Sequence, residues 1–192
     1  MAKAVEDGLK AGGTHLIEAG TGVGKSLAYL VPAAIWAINN DKRVIVSTHT
    51  KALQEQLIQK ELPFAKELLA ARGLGLRFSL LMGGENYLCV QRLDRLLRDK
   101  DNMFLDHDGR KSLEGLWSWS ATGETGQRAR LPSAVRDDLW PQVNRDPDLC
   151  MGSRGPLAQS CLWRKDYEKA KKAHILVVNH ALLLAAPPAW LP

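Results

Sequence analysis

Ala19-Gly20-Thr21-Gly22-Val23-Gly24-Lys25-Ser26 is the stretch that most limits what this chain can fold into. It has the pattern of a phosphate-binding loop, with Ala19 where the first glycine usually stands. Its glycines let backbone N–H groups turn towards a phosphate chain with no Cβ in the way. Lys25 can reach the β- and γ-phosphates of a nucleotide, and the Ser26 hydroxyl can coordinate Mg²⁺. A helix beginning at the end of the loop points its positive N-terminus at the same phosphates. Together Ala19 to Ser26 form a candidate ATP site, with Lys25 and Ser26 as its catalytic members.

The flanks agree with that reading. His15-Leu16-Ile17-Glu18 predicts a first strand running to about Ala19. Ser26 to Leu30 opens a helix that continues to about Asn40, with Pro32 in its first turns, where proline is tolerated. Asn39-Asn40-Asp41 signals a turn. Arg43 to Ser47 and Arg77 to Leu81 read as further strands, with a helix between them for which Thr50 is a plausible N-cap. Pro63 interrupts or kinks that helix. Strands alternating with helices imply a parallel sheet with right-handed crossovers, whose ligands bind at the carboxyl ends of the strands.

The periodicity then breaks. Residues 83–165 read as short helical pieces between polar, glycine- and proline-rich stretches. Asn86 to Leu97 is helical in pattern, with Leu88, Leu93 and Leu96 on one side and Arg92, Arg95 and Arg98 on another. From about Asp166 order returns, first as a charged helix, then as the buried-strand run Ile175 to Val178, then as a helix start at Asn179-His180. The expected organisation is therefore a sheet domain over residues 1–82, an insert over 83–165, and a return to the sheet domain over 166–192.

The net charge of +5 permits a nucleic-acid partner without demanding one, because no basic block stands out. No apolar run is long enough to span a membrane, and Met1 to Lys10 lacks the apolar core of a signal peptide, so the expected location is the cytosol. Cys89, Cys150 and Cys161 form neither a disulfide framework nor a compact metal motif, and by themselves read as buried thiols. Trp117, Trp119, Trp140 and Trp163 read as core of the insert rather than as base-stacking platforms. Gln54 and the three arginines have solvated helix faces as their plain reading.

The motifs in order resemble the DinG and XPD helicases, a superfamily 2 group, with the bacterial DinG branch the nearer. Glu18 to Ser26 resembles their ATP loop, and Val46-Ser-Thr-His-Thr-Lys-Ala-Leu-Gln-Glu-Gln-Leu57 their next motif, which lies along the nucleic-acid strand. Asn86-Tyr87-Leu88-Cys89 resembles the start of their iron–sulfur insert, and Val177 to Leu183 the return to the motor domain. The resemblance implies a RecA-like α/β P-loop fold with a mainly helical cysteine-bearing insert. It also implies a 5′-to-3′ DNA helicase using ATP and Mg²⁺ on single-stranded DNA and DNA junctions, with Thr48, Thr50 and Lys51 contacting the DNA backbone. His180 reads as a structural or DNA-contacting group rather than a catalytic base.

This sequence departs from the family pattern in two ways. It contains no Asp-Glu-Ala-His tetrapeptide, so the expectation is an N-terminal fragment that turns over little ATP alone. It also has three cysteines where the family has four, with Gly155 at the expected position of the other one. A [4Fe–4S] cluster normally takes four thiolates. On Cys89, Cys150 and Cys161 the expectation is a [4Fe–4S] cluster with one unusual corner or a [3Fe–4S] form, with His107, water or an outside thiol as candidate fourth ligand. Zinc and metal-free thiols stay open, as do two other functions: another P-loop enzyme such as a nucleotide kinase, and a non-catalytic nucleotide- or DNA-binding module.

Overall fold

The computed structural model describes residues 1–20, 22, 24–99, 105–123 and 125–185. The chain forms two compact units, one of residues 1–81 with the segment from residue 169 onward, the other of residues 82–168.

In the first unit, α1 (Ala2–Ala11) is an amphipathic surface helix carrying a Lys3–Asp7 ion pair at 2.9 Å. Residues 14–20 follow without regular structure, where a strand was expected. A strand exists only through a ladder partner, and none of the described strands lies beside this segment, so Leu16 is left fully exposed. α2 (Lys25–Asn39) starts inside the glycine loop and buries Leu30, Ala33, Ala34 and Ala37, small residues that allow close packing. Pro32 sits mid-helix rather than in the first turns, which removes the N–H that would have met the Ala28 carbonyl. The turn after α2 holds Asp41 at φ 48°, a left-handed conformation that aspartate tolerates.

β1 (Val44–Thr48) leads into one helical run: α3 (Lys51–Gln56), a π turn (Leu57–Glu61) and α4 (Leu62–Ala70). The π turn directly precedes Pro63, and widening the turn accommodates the proline without ending the helix. β2 (Phe78–Leu80) follows.

The second unit comprises α5 (Val90–Arg98), α6 (His107–Ser120), α7 (Trp140–Val143) and most of α8 (Leu162–Lys171), joined by 3₁₀ turns and loops. Leu93 and Leu96 of α5, Leu113 and Leu116 of α6, and Val143 and Leu162 pack into its core. Trp140 belongs to that core, and its indole N–H donates to the Glu85 carbonyl at 2.9 Å. Trp119 packs against the core from its edge, whereas Trp163 stacks on Tyr167 at 5.1 Å under the Arg145 guanidinium. Trp117 departs from the core expectation, standing 36% exposed on the outer side of α6. Arg92 is no solvated stripe either: it clamps α5 to the α7 region through the Asn144 carbonyl at 2.7 Å and the Pro141 carbonyl at 2.7 Å. A buried Asp166 accepts from Thr125 at 2.7 Å and Gln127 at 3.2 Å. Burial, with Asp166's charge second, pushes the nearby Tyr87 phenol far above its ordinary range.

β3 (Ile175–Asn179) then completes the sheet of the first unit, and α9 (His180–Ala185) leaves it. The order is β1-β3-β2, all parallel, with Val44 and Phe78 both opposite Ile175. β3 is central, and Ile175 to Val178 are all buried, as expected for a strand covered on both faces. This parallel α/β sheet is the P-loop class the sequence implies. No helix among the described residues is long and apolar enough to cross a membrane.

Candidate functional site

Two of the loop glycines have backbones that other residues adopt only under strain. Gly22 has φ 78° and Gly24 has φ 71°, ψ 32°. The left-handed turn at Gly24 launches α2, so Lys25 is its first residue. Lys25 folds back over the loop and its ammonium donates to the Ala19 carbonyl at 3.0 Å. Ser26 shares a side-chain hydrogen bond with Tyr29, whose phenol is pushed up by burial and then by the charge of Glu61. Gly20 lies on the same open turn, with no atom near where a Cβ would stand. Thr21 and Val23 lie outside the described residues.

A second cluster forms where β1 and β3 end. Register places Thr48 opposite Asn179, so the segments after both strands emerge side by side. Ser47 Oγ lies 2.6 Å from His180 Nδ1, and the His49 and His180 ring centres are 6.1 Å apart. Asn179 caps α9 by accepting from Leu182 N–H at 2.7 Å. Thr48 is buried, and its hydroxyl donates to the Thr50 carbonyl at 3.3 Å, so it shapes the turn from inside. Thr50 is exposed and its hydroxyl caps α3 by accepting from Leu53 N–H at 3.2 Å. Lys51 is exposed at the first position of α3. Gln54, whose plain reading is a solvated residue, is instead fully buried, and its amide meets no hydrogen-bond partner among the described residues. Sequence reasoning missed Tyr29 and the Ser47–His180 contact. The first rests on an ordinary i,i+3 helix spacing, whereas the second needs the pairing of strands 131 residues apart, Val44 opposite Ile175.

The cysteines belong to the second unit. Cys89 precedes α5, and its N–H donates to the Val143 carbonyl at 2.7 Å. All three cysteines are half-buried and none is in a disulfide. Burial raises the Cys89 thiol above its ordinary value, and the nearby Cys161 and Cys150 thiols push it the same way. Cys89 and Cys150 line a cavity of about 380 Å³ together with Gln91, Arg92, Arg95 and Met151. Among the described residues, no three His, Cys, Asp or Glu side chains surround a single ion. Zinc, which draws its ligands around one point, is therefore a poor fit. An iron–sulfur cluster attaches each thiolate to a different iron, so it needs only thiols facing one shared space. Cys89 and Cys150 stand in that relation, whereas Cys161 is not among the residues lining the cavity. His107 is largely exposed at the start of α6, 3.5 Å from Asp108.

Residues 2–101 match the family described as DEAD/DEAH box helicase. Over 95% of its length the chain is similar to the ATP-dependent helicase DinG of Mycobacterium tuberculosis, at 36% identity and covering 30% of that protein. It is 37% identical to the ATP-dependent DNA helicase YoaA of Escherichia coli, over 96% of the chain and 28% of the relative. The ATP-dependent DNA helicase DinG of Photobacterium profundum is 35% identical over 88% of the chain and 25% of its own length. The chain thus spans under a third of the length of these relatives.

Proposed function

The chain belongs to the DEAD/DEAH box helicases, and from that premise we propose that it is the nucleotide-binding part of a DinG-like motor, one that hydrolyses ATP with Mg²⁺ to unwind DNA. The observation that carries this reading is the loop at Gly22 to Ser26, where left-handed glycines, a folded-back lysine and a helix start coincide. In this reading Lys25 leaves the Ala19 carbonyl for the β- and γ-phosphates, and Ser26 turns from Tyr29 to the metal. Ser26 would help hold the Mg²⁺, which would supply charge neutralisation at the phosphates. Residues 1–82 and 166–192 act as motor, and residues 83–165 as the wedge that parts strands. Thr50 and Lys51 contact the backbone of a single strand, while Thr48 holds their turn in shape. Travel is 5′ to 3′, the substrate is a single-strand/duplex junction, and the setting is the cytosol. Cys89, Cys150 and Cys161 hold an iron–sulfur cluster, which staples the wedge when bound.

Two measurements test the proposal. A fluorescent ATP analogue titrated with Mg²⁺ is expected to bind the chain, and Lys25→Ala to weaken binding about ten- to a hundredfold, the equivalent of a lost charge-assisted contact. Binding that ignores Lys25 counts against the site. Strand displacement by the complete motor is expected on duplexes with a 5′ tail, and a preference for the 3′ tail overturns the polarity.

A further inference from the structure

The carboxyl ends of β1 and β3 carry a donor beyond the Thr50–Lys51 turn. Ser47 Oγ on β1 lies 2.6 Å from Nδ1 of His180, the first residue of α9. These residues are 133 apart in sequence, and parallel pairing brings them together, with Ser47 opposite Val178 and Thr48 opposite Asn179. His180 is exposed, and its other ring nitrogen, Nε2, meets no hydrogen-bond partner among the described residues. His49 borders the same edge, its ring centre 6.1 Å away and its plane tilted by 40°. Thr50 and Lys51, both exposed, follow His49 directly. Two segments thus bring two imidazoles, a hydroxyl and an ammonium to one edge of the sheet.

A hydrogen bond at one imidazole nitrogen decides what the other can do. With Nδ1–H donating to Ser47, Nε2 is a bare lone pair, which repels an anion. With the Ser47 hydroxyl donating to Nδ1, Nε2 carries the proton and is a donor. A hydroxyl rotates to suit either arrangement, so an anion at this edge selects the second. We propose that His180 Nε2–H donates to a backbone phosphate of the bound single strand, and that Ser47 is the positioning residue that holds the ring in this tautomer. This rests on the DNA reading of the Thr50–Lys51 turn given under Proposed function, and adds to it a contact from the return segment. The strand is then held at two points, the turn after β1 and the start of α9. The donor is neutral, so it adds affinity without releasing a counterion. It carries no base preference, because phosphate contacts position the protein and do not read sequence.

The test is fluorescence anisotropy of the chain with a labelled single-stranded oligonucleotide over a salt series at about pH 8, where an ordinary imidazole is neutral. His180→Ala is expected to weaken binding about three- to tenfold, the equivalent of one hydrogen bond, with the log–log salt slope unchanged. His180→Gln, whose amide N–H reaches the place of Nε2, is expected to recover most of that loss. His180→Asn, whose amide ends at the place of Nδ1, is expected to recover none. Ser47→Ala is expected to lose a smaller factor, and nothing further in the His180→Ala background, since it acts only through the ring. Circular dichroism separates a lost contact from a lost fold, and the comparison of Gln with Asn stands even if the alanine variant unfolds. Equal affinity in His180→Gln and His180→Asn overturns the Nε2 donor. A salt slope lowered by about 0.7 in His180→Ala marks an imidazolium contact and overturns the neutral donor. Losses at Ser47 and His180 that combine independently overturn the positioning role. Unchanged affinity in His180→Ala beside a clear loss in Lys51→Ala overturns this inference and leaves the DNA reading intact. No loss in either overturns both.

Discussion

His174 shows how one buried side chain carries a pH dependence for the whole sheet. It stands just before β3, and its Nδ1 accepts the Arg77 backbone N–H at 3.2 Å, so that nitrogen must be unprotonated. Burial, then the positive charge of Arg77, holds the ring's pKa below its ordinary value, with Asp41 opposing weakly. The unfolded chain therefore binds this proton more readily than the folded one. The stabilisation is complete above about pH 6.5, the ordinary histidine value, and declines as pH falls below it. Urea midpoints are expected to drop between about pH 7.5 and about pH 5.5, and His174→Gln to flatten that limb. Gln54 presents the opposite case, a polar group that costs stability. A buried amide without partners costs about 1–3 kcal/mol, so Gln54→Leu is expected to leave stability unchanged or to raise it. A clear loss in equilibrium denaturation shows instead that the amide is hydrogen-bonded in solution.

Among the elements, α3 gives the sharpest test because Thr50 has two candidate duties. As a cap it satisfies Leu53 N–H, and Thr50→Ala is expected to cost about 1 kcal/mol. Thr50→Asp restores the cap but places a negative charge where the proposal puts a DNA phosphate. Stability is then expected to recover while single-strand binding does not, and recovery of both removes Thr50 from the DNA path. That the cap could be read at all follows from its being local: a threonine before an apolar-periodic run is visible in sequence. The strand Val44–Thr48 and the buried Ile175–Asn179 were legible for the same reason, as β-branched runs bounded by turns. The segment His15–Ala19 has the same apolar look but forms no ladder among the described residues, because pairing depends on a neighbour that a local pattern does not contain. Of the candidate site, the glycine loop was readable from residue types alone. The burial of Gln54, the Ser47–His180 contact and the Arg92 clamp were not, since each depends on which distant segment packs against it.

At the scale of the molecule, net charge and backbone contact set how binding responds to salt. The net charge is +5 with no dominant basic block, so binding to single strands is expected to rest on a few phosphate contacts and to weaken steadily as salt rises. Lys51→Ala is expected to lower the log–log salt slope by about 0.7, the share of one phosphate on a single strand, equally for all sequences. An unchanged slope in fluorescence anisotropy removes Lys51 from the path. The order of the sheet has a consequence for how the chain comes to exist. Its middle strand, β3, is made last of the three, after the whole of residues 82–168 has been synthesised. Until then β1 and β2 lack the neighbour they share among the described strands, and their open edges invite mispairing. On a ribosome the second unit emerges first as a complete foldable body. Once folded, it brings the two ends of a long excursion under one local constraint, so β3 closes a short effective loop instead of a long floppy one. Each halving of effective loop length saves about 0.6 kcal/mol of closure entropy. The insert thus acts during synthesis as an internal splint for the sheet, and a lesion in it shows first as a lower yield of folded protein.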